Sequence, residues 1–82
     1  MVTKRKYKAP GMQALANAML RRYCRTEHVV RGRGYYYLVG GVASNMPHTI
    51  LETIGPSTEL KHWLSSLEGL YAEAGIKVKL VP

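Results

Sequence analysis

One run of side chains limits what this chain can fold into more than any other. Leu60, Trp63, Leu64, Leu67, Leu70, Tyr71 and Ala74 fall on a single stripe of an α-helix of about four turns. Gly55-Pro56 stops whatever precedes the helix, Ser57 is the expected N-cap, Glu59 puts negative charge in the first turn, and Gly75 supplies the C′ position. A stripe that wide has to be covered, so the remaining residues must form a surface against it. A second, shorter stripe of Met12, Leu15, Ala16, Met19, Leu20 and Tyr23 predicts another helix, ending near Thr26.

Between and after the helices the pattern changes to that of strands. Tyr35-Tyr36-Tyr37-Leu38-Val39 is aromatic and β-branched, and Arg31-Gly32-Arg33-Gly34 before it reads as a turn, a bulge or a flexible approach. Ala43 to Pro47 reads as a hairpin loop that returns through Thr49 to Ile54, and Ile76 to Val81 alternates strictly, with Lys77 and Lys79 outward. The expected order is therefore helix, strand, strand, helix, strand. This gives an α+β fold, with two helices packed on one face of a three-stranded sheet.

Residues 11–82 make a single domain on this reading, and Pro10-Gly11 separates it from a basic, flexible arm over residues 1–10. A chain of 82 residues buries only about 60% or slightly more of its unfolded surface, which leaves room for one core and for a homodimer. No apolar run approaches the ~20 residues of a membrane span, and the charged N-terminus lacks a signal-type apolar stretch. Cys24 is the single cysteine, which suits a reducing, cytoplasmic setting.

The formal net charge is +7, and it is unevenly placed. Residues 1–34 carry nine basic side chains against Glu27 alone, whereas residues 35–82 carry three lysines against four glutamates. Such asymmetry concentrates positive potential over one region and favours polyanionic partners.

Catalysis is disfavoured by inventory. The chain has no Asp, no paired carboxylates in a defined motif, no phosphate-cradling loop and no nucleophile elbow. Cys24 and His28 are four apart, and His48 and His62 could complete a metal set. Four scattered singletons without a paired element do not make the expected zinc pattern, so neither a metal nor a cofactor is expected.

The densest constellation of functional residue types joins Lys4, Arg5, Lys6 and Lys8 of the arm with Arg21, Arg25, Arg31 and Arg33, followed by Tyr35 and Tyr37. Cations neutralise phosphates, and aromatic faces stack on unpaired bases. In a strand Tyr35 and Tyr37 share one face of the sheet, while Tyr36 and Leu38 share the other. The expectation is a small, non-enzymatic nucleic-acid-binding regulator, with DNA and RNA both open. The alternative is an inhibitor or adaptor that docks on an acidic host protein, as an accessory protein of a phage or mobile element would.

Overall fold

The computed structural model describes residues 11–81. Their elements are α1 (Met12–Arg22), β1 (His28–Arg31), β2 (Tyr36–Val39), a 3-10 helix (Gly41–Asn45), β3 (Ile50–Leu51) and α2 (Leu60–Glu73). The sheet is antiparallel throughout, in the order β1-β2-β3. Val29 lies opposite Leu38, and Tyr36 lies between Arg31 and Leu51. The two-residue period therefore puts Val29, Tyr36, Leu38 and Leu51 on one face, and all four are buried.

Both helices cover that face. Ala16, Met19 and Leu20 of α1 join Trp63, Leu64, Leu67, Leu70 and Tyr71 of α2 in one core. Each large side chain fully withdrawn from water there contributes about 1.5–3 kcal/mol. Trp63 meets Tyr36 edge-on, with ring centroids 4.7 Å apart, and its indole N–H donates to the Thr58 carbonyl at 3.1 Å. The α+β class and the two-helix, three-stranded composition are as the periodicity predicts.

The strand order differs from the expected one. All three strands lie between the helices, and the additional strand is β1, built around Val29-Val30. The reason lies in how α1 ends. The Arg25 N–H bonds the Leu20 carbonyl at 2.9 Å and the Cys24 N–H bonds that of Arg21 at 3.0 Å, with Cys24 left-handed at φ 61°. This Schellman closure stops α1 at Arg22, short of the expected Thr26, and frees the next residues to become a strand. At the end of α2 the same closure uses Gly75 at φ 80°, with Ile76 N–H on the Tyr71 carbonyl at 2.8 Å.

The expected final strand, Ile76 to Val81, joins no sheet. Side chains of α1 occupy the open edge of β1. The Val29 N–H donates to Asn17 Oδ1 at 2.6 Å, and its carbonyl accepts from Asn17 Nδ2 at 3.1 Å and from Gln13 Nε2 at 3.0 Å. The Asn17 carboxamide does for Val29 what a fourth strand would do, and it blunts the edge. Residues 76–81 run along α2 instead. There the Leu80 N–H donates to Glu68 Oε2 at 2.6 Å, and the Val81 carbonyl accepts from the Tyr23 hydroxyl at 2.8 Å.

Smaller differences have local causes. The expected loop from Ala43 to Pro47 is largely the 3-10 helix, and the returning strand shrinks from Thr49–Ile54 to Ile50–Leu51 because Thr53 turns the chain at φ 61°. Glu59 rather than Ser57 is the N-cap of α2, without a side-chain cap bond. Thr58 closes the preceding turn by accepting the Gly55 N–H on Oγ1 at 2.9 Å.

Candidate nucleic-acid interface

With both helices on one face of the sheet, the other is left open by the described residues. Register puts His28, Val30, Tyr37, Val39 and Ile50 on this second face, with Ile50 42% exposed. The alternation along the strand carries Tyr35 to the same side, where it is 41% exposed. The Tyr35 and Tyr37 rings form a tilted pair, with centroids 5.6 Å apart and an interplanar angle of 39°. Tyr36 points the other way, into the core.

The β1–β2 turn fixes this pair. The Gly32 N–H donates to the Tyr35 carbonyl at 2.7 Å, and Arg33-Gly34 form the two-residue loop, with Gly34 at φ 76°. The Tyr35 ring lies directly over Gly32, where an added Cβ would stand 2.6 Å from Tyr35 Cζ. Glycine at position 32 thus lets the ring lie flat on the backbone. Sequence reasoning found the two tyrosines but not this use of Gly32, nor the apolar neighbours Val30, Val39 and Ile50. The signal was present as a Val-Val pair and a Tyr-Tyr pair flanking a glycine-containing turn.

The candidate cations separate into two groups. Gln13 and Asn17 both reach Val29 across a short connection, so α1 and β1 run antiparallel. Arg31 and Arg33 consequently sit with the hairpin turn at the end of the molecule where Gly11 begins α1. Arg21 and Arg22 sit at the opposite end of that eleven-residue helix, which is about 16 Å long. Lys4, Arg5, Lys6 and Lys8 lie outside the described residues.

Arg25 is engaged elsewhere. Its Nε donates to Glu27 Oε1 at 2.9 Å, and its guanidinium lies 4.9 Å from the centre of the Tyr71 ring. Arg21 and Arg25 are not a pair one turn apart on a helix face, because α1 ends between them. Glu27, only 2% exposed, also accepts the Tyr71 hydroxyl at 2.5 Å and the Val42 N–H at 2.8 Å. Burial pushes its carboxyl pKa up, but the hydrogen bonds from Tyr71, Val42 and Arg25 outweigh that and hold it at about 2. Burial, and then the bond to Glu27, raise the Tyr71 hydroxyl well above its ordinary range. Gly41, at φ 49°, lets the 3-10 helix close over the carboxylate, since a Cβ there would run into Glu27. The cluster ties the connection between α1 and β1 to the 3-10 helix and to α2.

Cys24 is exposed at the end of α1, and His48 Nε2 lies 3.4 Å from Glu52 Oε2. Among the described residues no three His, Cys, Asp or Glu side chains are grouped to hold a metal ion. Nor is any helix among them long and apolar enough to cross a membrane. Comparison with family models, characterised proteins and solved structures finds no match to this chain.

Proposed function

We propose that this chain is a small nucleic-acid-binding module that takes single-stranded DNA or RNA on the open face of its sheet and acts by occupancy, without a catalytic step. The observation that carries this reading is the Tyr35–Tyr37 ring pair on a face that no other described element covers, beside a turn bearing Arg33, with Arg31 at the same end of the sheet but paired with Tyr36 on the helix-covered face. Unpaired bases stack on aromatic faces whatever their sequence, and a duplex hides those faces inside its own stack. On this proposal Arg33 and, from the neighbouring strand end, Arg31 supply charge for the phosphates at the hairpin end of this platform, and Lys4, Arg5, Lys6 and Lys8 add further cations from the arm. Arg21 has no part in the platform on this geometry, and Arg25 is held by Glu27.

Anisotropy of a labelled oligothymidine tests the reading, with the matching duplex as competitor. Binding is expected to favour the single strand, and Tyr35→Ala is expected to weaken it by about 1–3 kcal/mol, the range for loss of one stacked base. Equal affinity for strand and duplex, or a Tyr35→Ala variant that binds as the parent does, would overturn the reading. Val30, Val39 and Ile50 make part of the same face apolar, which favours a protein partner as the second reading, and the excess of basic side chains suits an acidic host protein. Recovery of a nuclease-resistant acidic protein on the tagged chain, with no oligonucleotide binding, supports that second reading.

A further inference from the structure

The C-terminal segment offers a separate surface, independent of the sheet face. Residues 76–81 have the alternation of a strand in sequence and in burial, yet they pair with no strand. Leu80 is buried against α2, Ile76 and Val78 are half-buried, and Lys77 and Lys79 face outward. The ends of the segment are tied, by the Tyr71 carbonyl at Ile76, by Glu68 at Leu80 and by Tyr23 at Val81. Its middle is different. Among the described residues, the backbone N–H and carbonyl groups of Lys77, Val78 and Lys79 have no hydrogen-bond partner, and neither lysine has a carboxylate within ion-pair distance. A groove of ≈ 540 Å³ lies between this middle portion and α2, lined by Glu68 and Ala72 of the helix and by Ile76, Lys77, Val78 and Lys79 of the segment, so that two lysines face one carboxylate there.

We infer that Ile76 to Leu80 is a docking strand for an extended acidic peptide of a partner protein, which adds alongside it and sets apolar side chains into the groove. Three features support this occupant. Unpaired main-chain groups between tied ends give a template for strand addition, the mode in which backbone hydrogen bonds supply affinity. The groove beside the template takes one alternate set of the partner's side chains. Lys77 and Lys79, two residues apart, match carboxylates at alternate positions of an opposing strand. The same lysines argue against a second copy of this chain, since antiparallel self-pairing would oppose lysine to lysine.

The test uses the full chain, labelled with ¹⁵N, and a blocked hexapeptide alternating glutamate and valine, with an alternating lysine and valine peptide as control. In the free chain the amides of residues 77–79 should exchange rapidly with solvent. The acidic peptide should then produce saturable shifts confined to residues 72–80, and Lys77→Glu with Lys79→Glu should weaken it by about tenfold and transfer the preference to the basic peptide. Both lysines are exposed, so the fold is retained in that variant. Protected amides at 77–79 in the free chain, no saturable shift up to millimolar peptide, or equal response to acidic and basic peptides would each overturn the inference. So would shifts that appear only on concentrating the chain itself, which would mean self-association.

Discussion

Glu27 is the one acidic side chain in the basic half of the sequence, and it lies under α2 with all its neighbours donating to it. Its folded pKa of about 2 lies below the ordinary 4.5, so folding favours the ionised form. That stabilisation is complete above about pH 4.5 and is lost as the pH falls towards 2; the difference corresponds to about 3 kcal/mol. Urea midpoints measured across this window should fall steeply for the parent. They should fall much less for Glu27→Gln, which starts about 3 kcal/mol lower because Arg25 loses its counter-charge. Cys24 gives a prediction of opposite sign. It is exposed and sits at φ 61°, where side chains are strained, so Cys24→Gly should raise the melting temperature by an increment worth about 0.5–1 kcal/mol. Nothing in the local sequence announces either role. Glu27 meets Tyr71 across 44 positions, and a cysteine where glycine is usual disguised the end of α1.

At the scale of elements, the helices were legible and the strands only partly so. The stripe on α2 holds its period over fourteen residues, and Trp63, Leu64, Leu67, Leu70 and Tyr71 are all buried as that period requires. β3 is two residues long, and its extent is decided by the turn at Thr53 rather than by the propensity of the run from Thr49 to Ile54. The segment Ile76–Val81 shows why strict alternation can mislead. It reports one buried and one exposed side of an extended chain, and here a helix supplies the burial. Whether a sheet edge is free to accept such a segment depends on tertiary contacts, and Asn17 has already taken the edge of β1. Asn17→Ala should leave the Val29 N–H without a partner and cost about 1–3 kcal/mol in chemical denaturation. An unchanged stability would show that solvent serves this edge equally well.

For the whole molecule, the important fact is where charge and open surface coincide. The imbalance between the two halves of the sequence was visible, as was the sharing of one face by Tyr35 and Tyr37. The antiparallel run of α1 and β1 was not, because it depended on a strand hidden in His28–Arg31. That arrangement separates Arg21 and Arg22 from Arg31 and Arg33 and leaves the latter pair at the hairpin end of the sheet, with Arg33 in the turn that precedes Tyr35 and Arg31 opposite Tyr36. The salt dependence of oligothymidine binding tests the combination most directly, comparing the parent with Arg31→Ala/Arg33→Ala and with Arg21→Ala/Arg22→Ala. If about five cations meet phosphates of a single strand, log affinity falls against log salt with a slope near −3.5, and losing two of them makes it shallower by about 1.4. The account predicts that reduction for the hairpin pair and none for the helix pair; a slope near zero in the parent, or the same reduction from either pair, would contradict it.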